Sequence, residues 1–104
     1  VDHVLYEARR FGGTAFPAHV DKPAYSVISV LGAIPPEAGF HTAEISFTGS
    51  PEALLQTNPE LSGMLLLRNS DAHYLEHMRD PGPTLELPEA SAQAVIRFLD
   101  EQNL

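Results

Sequence analysis

The chain has 104 residues, no cysteine and a formal net charge of -8, enough for one domain with a modest core. Six Lys and Arg against fourteen Asp and Glu disfavour a phosphate-backbone grip on nucleic acid and adsorption to anionic membranes. Without thiols there are neither disulfides nor thiolate–metal sites, so any metal must be held by His, Asp and Glu.

A hydrophobic content of 43% predicts a folded chain. No run approaches the ~18 apolar residues of a membrane span, and the start does not read as a signal peptide. A cytoplasmic location is expected. The chain enters at once into a helical pattern, with Val1, Val4, Leu5, Ala8 and Phe11 on one face. A helix without an initiator Met predicts a piece of something longer. Gly12-Gly13 stops this helix. Thr14 to Ala18 reads as a short strand, with Pro17 at a strand end or bulge where its missing N–H does no harm. His19-Val20-Asp21 follows directly. Pro23 to Leu31 is expected to be helical, with Tyr25 on its apolar face, and Gly32 to Gly39 is a loop.

Phe40 to Ser46 is the second expected strand. Ser50-Pro51 reads as a cap followed by a first-turn proline, opening a helix to about Thr57, and Asn58-Pro59 repeats that logic. Met64-Leu65-Leu66-Leu67 is an unbroken apolar run, which predicts a strand buried on both faces. Tyr74 to Arg79 reads as one or two helical turns, Asp80 to Pro83 as a loop and Thr84 to Leu87 as a fourth strand. Pro88 opens a last helix whose apolar stripe contains Ala92, Val95, Phe98, Leu99 and Leu104. This alternation predicts an α/β domain of βα units with a mainly parallel sheet.

In parallel α/β folds, sites lie at the carboxyl ends of strands. Asp71 and His73 stand at i and i+2 where the third strand stops, and an extended chain would point both the same way. Together they make half of a metal site or an acid/base pair. A capping Asp beside a surface His fits the same short pattern. His19 follows the first strand and Glu44 lies near the end of the second, so three strands deliver ligand-type residues to one rim. His3 and His41 belong to other parts of the fold. His77 lies one helical turn past His73. No serine has the context of a nucleophile, and Gly12-Gly13 is no phosphate loop.

Three segments carry a family likeness. Gly12 to Pro23 (GGTAFPAHVDKP) and Asn69 to Glu76 (NSDAHYLE) resemble motifs of the PHP family, the polymerase and histidinol phosphatase domains, and Ala43-Glu44-Ile45-Ser46 is similar to the strand between them. The resemblance implies the C-terminal half of a distorted (β/α)7 barrel, making residues 1–104 a single partial domain. It implies a cluster of divalent metal ions (Zn, Mn or Fe) at the rim and hydrolysis of phosphate esters. His19, Asp71 and His73 would be metal ligands, with Asp71 and His73 in the catalytic role. Asp21 would orient His19 or pair with Lys22. The substrate would be a phosphorylated small molecule or nucleotide. The family's opening His-x-His motif and its middle motif are absent, so the isolated chain is expected to be inactive. A half-barrel leaves strand edges unpaired, which predicts self-association. The competing reading is a non-catalytic α/β interaction or assembly module.

Overall fold

The computed structural model describes residues 3–79, 82 and 84–101. Its frame is a mixed α/β arrangement around two parallel strands, β1 (Thr42–Ser46) and β2 (Leu65–Asn69). They pair in register from Thr42 opposite Leu65 to Ser46 opposite Asn69. The crossover carries one helix, α3 (Pro51–Thr57), and a 3-10 turn at Pro59–Leu61. Helices α1 (Val4–Arg10) and α2 (Val27–Leu31) precede the sheet, and α4 (Ala92–Glu101) follows it. No helix among the described residues is long and apolar enough to cross a membrane.

Alternation along β1 separates core from site. Ala43 and Ile45 point into the core, together with Leu5, Val20, Ile34, Phe40, Leu54 and Leu61. Glu44 and Ser46 point to the opposite face, which becomes the candidate site. β2 differs from its expectation. Every residue from Met64 to Asn69 is only half-buried. The reason is position: among the described residues β2 is hydrogen-bonded to β1 alone, so one edge of its apolar run lacks a neighbouring strand there.

The first expected strand is reduced to a contact. Glu44 donates its N–H to the Pro17 carbonyl at 2.9 Å and accepts from the Val20 N–H at 2.8 Å. This is a parallel pairing with one residue too many, because Ala18 and His19 stand where a regular ladder has one. Pro17 contributes only its carbonyl, so its missing donor does no harm. Thr84 to Leu87 forms no strand either. Thr84 and Leu85 border β2 across a cavity of about 300 Å³.

The helices are shorter than their sequence patterns. α1 buries only Leu5, while Val4 is 49% and Phe11 84% exposed. It ends in a Schellman turn: Gly13 and Gly12 donate to the carbonyls of Ala8 and Arg9, with Gly12 at φ 82°. α2 starts four residues after Pro23, because Ser26 caps it. The Ser26 hydroxyl accepts from the Ser29 N–H while the Ser29 hydroxyl accepts from the Ser26 N–H. Tyr25 therefore falls outside the helix and is 93% exposed rather than packed. Ser50 caps α3, with Pro51 in the first turn as expected. Between Tyr74 and Arg79 only a 3-10 turn forms, at Leu75–His77. α4 begins at Ala92, not Pro88, with the Ser91 hydroxyl accepting from the Ala94 N–H at 3.1 Å. Ala94 and Leu99 are its buried residues. It is held to the sheet by Thr42 Oγ1, which donates to the Leu99 carbonyl at 2.7 Å, and to α1 by an Arg9–Asp100 ion pair at 3.3 Å. The expected places of Val1 and Leu104 on helix faces, and of Asp80, Pro81 and Pro83 in a loop, lie outside the described residues.

Candidate functional site

Glu44 is the hub that joins the three segments expected to form the rim. Besides its two main-chain bonds, its Oε1 accepts from the His19 N–H at 3.1 Å and its Oε2 accepts from Asn69 Nδ2 at 2.7 Å. One carboxylate thus ties the His19 loop, β1 and the end of β2 together. Glu44 is read from the sequence only as a strand residue near the rim. Its partners lie 25 residues away on either side, and no local pattern marks them.

Asp21 anchors the other end of the loop. Its Oδ1 accepts from the Ser46 N–H at 2.8 Å and its Oδ2 accepts from the Ser46 hydroxyl. Of the two partners considered for it, Lys22 pairs with Asp71 instead, and the side-chain bonds shown for Asp21 come from Ser46 rather than from His19. A side chain on Gly49 would collide with Asp21 Oδ2, so glycine leaves the room this carboxylate needs. Partial burial pushes the Asp21 carboxyl up, but the two bonds from Ser46 outweigh it. The net position is below the ordinary value of 3.8, with the His19 imidazole contributing in the same direction.

Between these anchors His19 is held at φ 30°, and Asp71 is held at φ 51° beyond the end of β2. Only one other described non-glycine residue, Tyr25, has a positive φ. Strain of this kind gathers at functional sites, where surrounding bonds enforce it. The His19 ring is partly covered, and its Nδ1 is buried with no hydrogen-bond partner. An unpaired buried ring nitrogen is uncommon, and strain, a catalytic role, a water or an ion each account for such cases.

The turn at Asp71 changes the expected geometry. Because the chain is no longer extended there, spacing does not align the Asp71 and His73 side chains. Instead His73 Nδ1 lies 2.8 Å from the Asp71 carbonyl. A carbonyl only accepts, so Nδ1 is the donor, and Nε2 keeps the lone pair of the neutral ring. His73 borders a shallow cavity of about 470 Å³ with Tyr74, Leu75 and Glu76. The Asp71 carboxylate meets Lys22, whose Nζ lies 3.0 Å from Oδ2. That hydrogen bond holds the Asp71 carboxyl below the ordinary carboxylate value, and the imidazoles of His19 and His73 act in the same direction. His77 packs edge-on against Tyr74, with ring centres 5.3 Å apart, and borders a separate cavity with Ser70 and Arg79. His3 is exposed just before α1.

Two imidazoles and a carboxylate are suitable donors for Zn, Mn or Fe. The orphaned His19 Nδ1 fits such a group. Among the described residues, however, no three His, Asp or Glu stand close enough together to hold an ion, and the ammonium of Lys22 sits on Asp71. No family model, no curated protein and no solved structure matches the chain.

Proposed function

We propose that this chain is the C-terminal portion of a PHP-type metal-dependent phosphoesterase. In the complete domain, His19, Asp71 and His73 would bind divalent cations and a phosphate ester would be the substrate. The observations that support this reading best are the backbone of His19 and Asp71 and the buried ring nitrogen of His19. The two residues come from separate segments, both sit in strained backbone, and one has a buried ring nitrogen without a partner. A purely structural module has no physical need for that combination. Divalent cations would supply acidified water and neutralise charge developing on phosphorus. The chain's own groups prepare for this. Lys22 keeps Asp71 in its ionised, ligating form. The Asp71 carbonyl orients His73 with Nε2 available. Glu44 and Asp21 brace the loop that presents His19.

On this reading the face of β1 and β2 that carries Glu44, Leu67 and Asn69 is the inner wall of the barrel. The single neighbour of β2 suits a sheet that continues in the missing half, and the isolated piece would self-associate through that edge.

The second reading, a non-catalytic α/β assembly module, is favoured by the Lys22–Asp71 ion pair, which satisfies Asp71 without a metal. Titration of the chain with Zn²⁺, followed through the histidine ring NMR signals, separates the two. The phosphoesterase reading expects the His19 and His73 rings to respond, and expects Asp71→Ala to weaken uptake at least tenfold with the fold retained. Rings that stay silent at saturating Zn²⁺, or uptake indifferent to Asp71→Ala, would leave the assembly module.

A further inference from the structure

Glu76 and Arg79 line one cavity of about 270 Å³, together with Ser70, His77 and Met78. Opposite charges three residues apart on a helix would face each other and pair. Here the 3-10 turn stops at His77, and Met78 is extended at φ -71° and ψ 139°, which carries the two charges apart. Among the described residues neither Glu76 nor Arg79 has an ion-pair partner. One small cavity thus has a carboxylate and a guanidinium on its wall, each free to take a partner.

The groups around it are held in place. The Arg79 guanidinium carbon lies 4.3 Å from the centre of the Phe47 ring, a cation–π contact that covers one side of the cation and leaves its other donors for a ligand. Phe47 is fixed in turn by Arg68 Nη1, which donates to its carbonyl at 2.6 Å. The His77 ring is set edge-on to Tyr74. The charge pattern then selects the ligand. A plain anion drawn to Arg79 meets the Glu76 carboxylate, and a dianion is repelled more strongly still. A plain cation meets the converse. A molecule that carries both signs satisfies both walls.

We propose that this cavity binds a small amino-acid zwitterion, with the ligand carboxylate on Arg79 and the ligand ammonium on Glu76. The Ser70 hydroxyl is a second donor to the carboxylate. Met78 is the apolar wall for a short side chain, a role that suits its unbranched thioether. The volume lies just below the range of drug-sized pockets, which limits the ligand to a few heavy atoms. Glu76 and Arg79 are both exposed, so binding is weak and falls with salt. Neither a metal nor a phosphate ester takes part, so this site stands or falls separately from the function proposed above.

The sequence has two methionines, Met64 and Met78, which makes the test direct. Protein grown with methyl-13C-methionine gives one NMR signal from the cavity and one from half-buried Met64, an internal reference. Millimolar L-alanine is expected to move the Met78 signal saturably and leave Met64 still. Propionate, which lacks the ammonium, L-alaninamide, which lacks the carboxylate, and inorganic phosphate are each expected to bind more weakly. Arg79→Gln is expected to weaken L-alanine by about fivefold or more, as loss of a charge-assisted contact does. Glu76→Gln is expected to weaken L-alanine by about two- to fivefold and to leave propionate as tight or tighter. Arg97→Gln, on an exposed position of α4, is expected to change nothing. All three positions are exposed, and an unchanged amide spectrum checks that each variant folds. A Met78 signal that stays still at saturating L-alanine would overturn the proposal. Propionate or phosphate binding as tightly as L-alanine would overturn it too, leaving a plain anion site. Equal effects of Arg79→Gln and Arg97→Gln would assign the binding to overall charge and overturn it as well.

Discussion

Asp21 and Ser46 show how single residues shape this site. The two Ser46 donors bind the ionised carboxylate, and bonds to a charged group are worth about 1.5–3 kcal/mol each way of counting. Asp21→Asn is therefore expected to destabilise the chain by about 2 kcal/mol in urea near neutral pH. The folded pKa of Asp21 is depressed, so its contribution is complete above the ordinary value of 3.8 and is lost as the pH falls through the lower folded value. The stability gap between wild type and Asp21→Asn should accordingly be level above about pH 5 and close in stronger acid. A gap that widens on acidification would contradict the assignment. At this scale the sequence was legible at the end of β2: the apolar run stops just before Asp71 and His73. It was silent where chemistry depends on long-range partners. Nothing near Lys22 in sequence points to Asp71, 49 residues on, and nothing near Glu44 points to Asn69. The positive φ values of His19 and Asp71 were equally hidden, because tertiary bonds impose them.

Caps and stops govern the elements more than apolar faces do. Gly12, Ser50 and Pro51 act where their local chemistry predicts, since capping is decided within a few residues. Faces are decided by what lies across from them, and here the expectations failed. Tyr25 and Phe11 lie exposed because no element covers them, and β2 is half-exposed because its outer edge has no strand beside it. Ser26 is the cap with the widest consequence. It is 5% exposed, caps the five-residue α2 and donates to the carbonyl of Lys22. Ser26→Ala is expected to cost about 1–2 kcal/mol, the upper part of the capping range, with the denaturant m-value unchanged. A loss within a few tenths of a kcal/mol would mean that Ser26 caps a helix contributing little to the fold.

For the whole molecule, the α/β class was readable from alternating patterns, but the extent of the sheet was not. Among the described residues two strands are formed of the four expected: Thr14–Ala18 makes a single irregular contact with β1, and Thr84–Leu87 joins no ladder. On the proposed half-barrel reading, the outer edge of β2 is a surface awaiting a partner. Sedimentation over a wide concentration range is expected to show average mass rising with concentration, and Leu67→Lys, a charge on the half-buried run, is expected to suppress the rise. A monomer at every concentration would argue against an open barrel wall. The ties from α4 back to earlier parts of the chain carry a consequence in time. Arg9 reaches Asp100 across 91 residues, Thr14 reaches it across 86, and Thr42 reaches Leu99 across 57. Such distant closures slow folding, since a long stretch of chain must be ordered before they reward it. On the ribosome, α1 would emerge early and wait for nearly the whole described chain to be made before its partner left the exit tunnel. The sheet has to hold its shape in that interval with Leu99 and Asp100 still undelivered.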